Sequence, residues 1–163
     1  MKTILKILFL CEIIVPIAFS CKKGENNQDG DEIVELEILS FKDITGKEYY
    51  CYLKDQKDLT KEFHLVITNQ EDFQSNVTCS NDELPEIDFM KWSVIAIRVY
   101  TTSTTAHIVS QKLLRNDTEL KYFYEVYYIG GILTMPGFTT FFSVIPVIPE
   151  NYQVIFNLEY IVP

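Results

Sequence analysis

The stretch LPEIDFMKWSVIAIRVY, Leu84–Tyr100, decides how the rest of the chain folds. From Trp92 to Tyr100 successive side chains point to opposite faces, as in any β-strand, and both faces are largely apolar. A strand with two apolar faces is typical of the centre of a sheet that is covered on both sides. We therefore predict that this segment is a central strand, entered after the break in the chain at Pro85.

Alternation of apolar and polar residues predicts further strands on both sides of this segment. They are residues 33–39, 47–53, 63–68, 106–114, 119–129, 139–147 and 152–161. The first two are separated by the turn-like Thr45-Gly46 and are predicted to pair as a hairpin. Before the central strand, Asn69 can cap a short helix of about Gln70–Val77 that has one apolar face.

The predicted elements make a mainly β domain, all-β or α+β, that spans residues 33–163. About eight strands are expected, mostly antiparallel because no βαβ pattern is present. They are expected to form a sandwich or a partly open barrel, with the one short helix against it. A chain of 163 residues that is 47% hydrophobic can build such a core, and a net charge of -9 argues against nucleic acid as a partner.

Residues 1–20 have the layout of a secretory signal peptide. The basic Lys2 and Lys6 precede an apolar run, residues 7–19, that ends next to the small Ser20. A membrane-spanning helix needs about 20 uninterrupted apolar residues, and this run is shorter and contains Glu12. Export is therefore predicted, and a simple anchor helix is the weaker interpretation.

The sequence Ala18-Phe19-Ser20-Cys21 resembles a relaxed bacterial lipobox of the kind common in Bacteroidetes-like lipoproteins. The resemblance implies cleavage before Cys21 and acylation of that cysteine, and two or more acyl chains attach a protein stably to a membrane. Residues 21–32 are then the lipidated cysteine and a flexible polar tether with too little apolar surface to become ordered. The expected location is a bacterial cell envelope, at the outer membrane, facing the periplasm or the outside. An ordinary secreted protein cut nearby is the alternative.

Cys51 and Cys79 remain once Cys11 is assigned to the signal peptide and Cys21 to the lipid. An exported protein can form disulfides, and a single pair has one possible connectivity. Two buried free thiols are the alternative, because the sequence does not place two Cα atoms within bonding range. Neither cysteine lies in a CxxC pair or at a zinc-ligand spacing, so no metal and no cofactor are predicted.

The residues that suit catalysis are scattered along the chain. Asp88 is interpreted as a turn residue whose carboxylate accepts local backbone N–H groups. His64 and His107 have no partner at metal-ligand spacing and are interpreted as strand-surface residues, and Thr101–Thr105 as a solvated connection. We predict that the chain is not an enzyme. A cluster of Asp88 with a histidine and a second carboxylate would reverse that interpretation.

One predicted strand, residues 119–129, carries several tyrosines, and they lie on both of its faces. The four are Tyr122, Tyr124, Tyr127 and Tyr128. They cannot all enter one core unless the strand is covered on both sides, so some of them are a candidate binding surface. Packing of aromatic side chains across neighbouring strands is the alternative.

From Phe63 to Pro163 the chain resembles the PrcB-like domain family. The resemblance rests on the helix Glu71–Val77, on Leu84-Pro85-Glu86-Ile87-Asp88-Phe89 and on the strand that follows. Thr104-Thr105-Ala106-His107 stands where that family usually has a glycine-rich turn. The resemblance implies an exported accessory domain without chemistry of its own. The expected function is a membrane-anchored, protein-binding lipoprotein, and a lipoprotein that binds a small ligand or glycan in an aromatic-lined cleft is the alternative.

Overall fold

Nine strands and two helices make up the part of the protein that its computed structural model describes, residues 32–54, 62–80, 83–101, 106–130 and 137–161. In chain order they are β1 (Ile33–Leu36), α1 (Phe41–Thr45), β2 (Cys51–Leu53), β3 (Phe63–Ile67), α2 (Gln70–Asn76), β4 (Val77–Cys79), β5 (Trp92–Thr101), β6 (His107–Asn116), β7 (Lys121–Ile129), β8 (Gly137–Pro146) and β9 (Gln153–Ile161). They belong to one unit, Asp31–Pro163. The predicted signal peptide, Cys21 and the tether up to residue 31 lie outside the described residues, as do residues 102–105 and Gly131.

The central strand is β5, which lies between β3 and β8 in a three-stranded antiparallel sheet. Ile95 and Ile97 on one face and Val94 and Ala96 on the other all have an exposed fraction of 0%. A Val or Ile side chain stabilises the fold by about 1.5–3 kcal/mol when it is fully buried. The prediction of a central strand with two covered faces is confirmed.

One face of the three-stranded sheet packs against a four-stranded sheet with the order β1-β6-β7-β9. The core between the two sheets, called here the inter-sheet core, includes Ile95 and Ile97 of β5, Leu113 of β6, and Tyr124 and Val126 of β7. The two sheets therefore form a sandwich. A mainly β fold with mostly antiparallel strands agrees with the prediction.

The other face of the three-stranded sheet is covered by both helices and a two-stranded sheet of β2 and β4. Phe41 of α1, Phe73 of α2 and Val77 and Cys79 of β4 pack there against Val94. We call this the helix-side core. The predicted helix corresponds to α2, in which the side-chain oxygen of Asn69 accepts the backbone N–H of Asp72 at 2.8 Å.

The predicted hairpin of residues 33–39 and 47–53 is wrong. β1 pairs with β6, and β2 pairs with β4, because α1 lies between the two segments. Ser40 and Asp43 form a capping box at the start of α1, and Gly46 ends the helix with a φ of 74°. Residues 40–46 therefore form a capped helical turn instead of a β-turn.

β9 is the exception to antiparallel pairing. The chain leaves β8 in the three-stranded sheet and crosses to the four-stranded sheet, where β9 lies parallel to β7. A turn at Pro149–Tyr152 makes this crossing, and the Tyr152 N–H donates to the Pro149 carbonyl at 3.0 Å. As a result β3 and β9 lie on the same open side of the sandwich, where the imidazole of His64 stacks on the ring of Phe156.

Candidate binding clefts

Three of the four tyrosines proposed as a binding surface are buried. Tyr122, Tyr124 and Tyr128 have exposed fractions of 2%, 0% and 5%. β7 is an inner strand of the four-stranded sheet, and its even-numbered side chains all point into the inter-sheet core. Only Tyr127 lies on the outer face, where it is half-buried. The interpretation as a binding surface is wrong for the three buried residues, for which the packing alternative is correct, and it stays a prediction for Tyr127.

Tyr124 belongs to a polar cluster inside the inter-sheet core. Its hydroxyl lies 2.8 Å from Gln111 Oε1 and 2.7 Å from Ser143 Oγ, and the Ser143 hydroxyl donates to Gln111 Oε1 at 2.9 Å. Burial raises the pKa of the Tyr124 phenol to about 12. The cluster therefore joins β6, β7 and β8 through a neutral phenol, which suits a structural role.

Cys51 and Cys79 form a disulfide, so the bridge is confirmed and the free-thiol alternative is wrong. The two residues lie opposite each other in the β2–β4 pair, with their Cα atoms 4.0 Å apart. The Ser80 N–H donates to the Tyr50 carbonyl next to this pair. The cysteines therefore occupy a non-hydrogen-bonded position, where Cα atoms of antiparallel strands come closest.

Asp88 and the two histidines lie in different parts of the fold. Asp88 Oδ1 accepts the backbone N–H of Met90 at 3.1 Å, and its Oδ2 forms an ion pair with Lys91 at 3.0 Å. The Lys91 hydrogen bond, with that of the Met90 N–H, lowers the pKa of the Asp88 carboxyl. His64 stacks on Phe156 at a ring distance of 4.8 Å, and burial lowers the pKa of its imidazole. His107 is exposed on β6.

The first candidate site is a cleft of about 530 Å³ between the edges of β3 and β9, called here the β3–β9 cleft. Its lining is Val66, Thr68, Val147, Ile148, Pro149, Glu150, Tyr152, Val154 and Phe156. Val66 and Phe156 pack against the inter-sheet core from this side, and Val147 has an exposed fraction of 41%. The cleft is thus an apolar opening into the side of the sandwich.

Backbone groups of β9 border this cleft. The Gln153 N–H donates to the Leu120 carbonyl at 3.0 Å, which directs the polar groups of odd-numbered β9 residues toward β7. Because these directions alternate along a strand, the N–H and C=O groups of Val154, Phe156 and Leu158 point to the opposite edge. In the described ranges no strand pairs with that edge.

The second candidate site is a cleft of about 390 Å³ on the opposite open side of the sandwich, called here the aromatic cleft. Its lining includes Phe41, Tyr49, Tyr50, Phe141 and Phe142, with Lys42 and Glu48 at its rim. The Lys42 ammonium and the Glu48 carboxylate form an exposed ion pair at 2.6 Å. Tyr50 has an exposed fraction of 71% and is available for contact.

An aromatic-lined cleft was the predicted alternative, but the lining residues of neither cleft were predicted from the sequence. Both lie where residues distant in sequence meet, and their apolar lining residues have the same pattern as core residues. One local signal was available for the rim of the aromatic cleft, because the spacing Ser40-x-x-Asp43 before Gly46 indicates α1. The open edge of β9 has no such local signal, because apolar and polar residues alternate in the same way in an edge strand and in a strand paired on both sides.

Comparison of the chain with protein-family models, with curated proteins and with solved structures gives no significant match. In the described residues, neither helix is long and apolar enough to cross a bilayer. Over the same residues, no group of three or more His, Cys, Asp or Glu side chains is arranged to bind a metal ion. The candidate sites therefore rest on the geometry of the two clefts.

Proposed function

We propose that this chain is a non-catalytic, lipid-anchored protein of a bacterial envelope whose β domain binds another exported protein. The observation that carries the binding part is the β3–β9 cleft, an apolar opening bordered by a strand edge that no described strand covers. Apolar clefts beside open strand edges are common docking places for polypeptides. The anchoring part rests on the lipobox-like sequence that ends at Cys21.

The acidic charge of the chain is consistent with an anchor that is the lipid alone and a β domain that binds the partner. A net charge of -9 repels anionic head groups, so the acyl chains on Cys21, and not the protein surface, make the contact with the membrane. The β domain stays close to the membrane and remains free to bind a partner. The bacterial envelope is the proposed location because the lipobox resemblance is to a bacterial motif.

Membrane fractionation of two variants of the full-length chain tests the anchor. Cys21→Ala is expected to move the protein from the membrane pellet to the soluble fraction, because the acyl chains are lost. Cys11→Ala, a matched cysteine change within the predicted signal peptide, is expected to leave it in the pellet. Retention of Cys21→Ala in the pellet contradicts the proposed anchor.

Crosslinking of the membrane-bound protein, followed by mass spectrometry, tests the binding role. One specific envelope protein is expected to be enriched over a control lipoprotein of similar size and charge. Absence of any protein enriched over that control contradicts the proposed function.

A second candidate function is binding of a glycan or a small apolar ligand in the aromatic cleft. The observation that favours it is the exposed ring of Tyr50 beside Tyr49 and Phe141, since tyrosines offer stacking area and a hydroxyl. Glycan-array binding that Tyr50→Ala abolishes would support it. Tyr52→Ala is the control, because Tyr52 has an exposed fraction of 51% and lies outside this cleft.

A further inference from the structure

The β3–β9 cleft presents an apolar surface and open backbone groups on the same residues. The side chains of Val154 and Phe156 line the cleft, while their N–H and C=O groups point to the open edge of β9. An extended polypeptide can use both features at once, with main-chain hydrogen bonds for affinity and alternate side chains for specificity.

We infer that the β3–β9 cleft binds an extended segment of another protein by strand addition to β9. Alternate apolar side chains of that segment lie against Val66, Val154 and Phe156, and Lys or Arg residues flank its apolar part. This inference deepens the protein-binding function proposed above and rests on it.

Two carboxylates near the cleft favour cationic residues on both sides of the apolar part of the partner segment. Glu150 lines the end of the cleft where β9 begins, and no Lys or Arg is among the lining residues. At the other end, Glu62 immediately precedes β3 and lies two residues before His64, whose ring stacks on Phe156. Because Val66 and Thr68, on the other side of His64 along the chain, line the cleft, Glu62 lies beyond Phe156 at its far end. A carboxylate at each end of an apolar cleft complements a cation at each end of an apolar segment.

Two other occupants fit the cleft less well. A second copy of this chain carries the same net charge of -9, so the two copies repel each other. Residues 22–31, KKGENNQDGD, follow the proposed lipid site and have no apolar side chain to place against Val154 and Phe156. A separate exported protein with a basic, apolar, extended segment is the occupant that the cleft favours.

The first experiment selects peptides with the full-length protein. A bead library of nine-residue peptides with a randomised core and lysine at both ends is compared with the same library flanked by glutamate. We expect enrichment from the lysine library only, with alternating apolar residues in the core. Equal enrichment from both libraries, or from neither, overturns the inference.

The second experiment tests strand addition in the selected peptide with the protein unchanged. N-methylation at alternate positions removes N–H donors from one edge of an extended peptide at a time. Methylation of the edge that faces β9 is expected to weaken binding at least tenfold, and methylation of the other edge to leave it within about twofold. Equal effects of the two methylation sets overturn strand addition.

The third experiment locates the site with exposed substitutions that spare the core. Glu150→Lys is expected to weaken binding of the lysine-flanked peptide about fivefold, and less at high salt. Glu35→Lys, the same charge change at an exposed position of β1, is the matched control and is expected to have little effect. A peptide whose affinity falls on Tyr50→Ala but not on Glu150→Lys binds the aromatic cleft and overturns the inference.

The inference and the proposed function can fail separately. An envelope protein that crosslinks equally to the wild type and to Glu150→Lys and Phe156→Ala leaves the protein-binding function intact and removes this cleft from it. Crosslinking that falls in both variants, with folding confirmed by circular dichroism, supports both statements.

Discussion

Tyr124 is the residue whose position differs most from its predicted role. It lies with an exposed fraction of 0% between the two sheets, and its hydroxyl contacts Gln111 and Ser143. The alternation of residues 119–129 predicts which tyrosines share a face, and Tyr122, Tyr124 and Tyr128 do share one. Whether that face meets solvent or a second sheet depends on residues far away in sequence.

Tyr124→Phe removes only the hydroxyl of this cluster. The free energy of unfolding is expected to fall by about 1 kcal/mol, because Ser143 and Gln111 still bond to each other at 2.9 Å. Urea denaturation measures the change, and Tyr50→Phe at an exposed position is the control. An unchanged stability would contradict a structural role for the Tyr124 hydroxyl.

Alkaline pH is expected to destabilise the fold partly through the same residue. The pKa of the Tyr124 phenol is 10.0 in an ordinary environment and about 12 in the fold, where burial opposes its ionisation. Its contribution to stability is therefore complete below pH 10 and is lost as the pH rises toward 12. Denaturation midpoints measured across this range should fall less steeply in Tyr124→Phe than in the wild type. Equal slopes would contradict this contribution.

At the scale of the element, β5 is buried on both faces along most of its length. Val94→Ala opens a cavity in the helix-side core and Ile95→Ala opens one in the inter-sheet core. Each is expected to lower the free energy of unfolding by roughly 1–4 kcal/mol. Asn157→Ala on β9, at an exposed position, is the matched control and should have little effect. An unchanged free energy of unfolding in either variant would contradict the burial of both faces of β5.

The open edge of β9 has its own signature in amide hydrogen exchange. The N–H groups of Gln153 and Ile155 point toward β7, whereas those of Val154 and Phe156 point to the edge. Hydrogen exchange measured by NMR should be slower for the first pair than for the second. Equal protection of both pairs would indicate that another segment covers this edge.

At the scale of the whole molecule, the disulfide joins β2 to β4, the two strands that help to cover the helix-side core. Cys51 and Cys79 are 28 residues apart, and a closed loop of that length stabilises a fold by about 3–4 kcal/mol in the chain-entropy account. The double variant Cys51→Ala/Cys79→Ala is expected to lose that amount in urea denaturation. Wild-type protein treated with a reductant is the matched comparison and should lose a similar amount.

Much of the architecture follows from local patterns in the sequence. The two apolar faces of Trp92–Tyr100 predict its central place, and Asn69 predicts where α2 begins. The short strand β4 and the helix α1 were not predicted, because three and five residues are too few for periodicity to distinguish them from turns. The capping box at Ser40 shows that a signal for α1 was nevertheless present.

The sequence by itself determined where most of the strands lie, which side chains share a face, and which strand must be covered on both sides. Only the tertiary structure decided that β1 pairs with β6, that β9 lies parallel to β7, that Tyr122, Tyr124 and Tyr128 are buried, and that the β3–β9 cleft and the aromatic cleft are open. The physical reason is the range of the interactions. Alternation is a property of neighbouring residues, whereas pairing and burial depend on contacts between residues that the chain brings together from far apart.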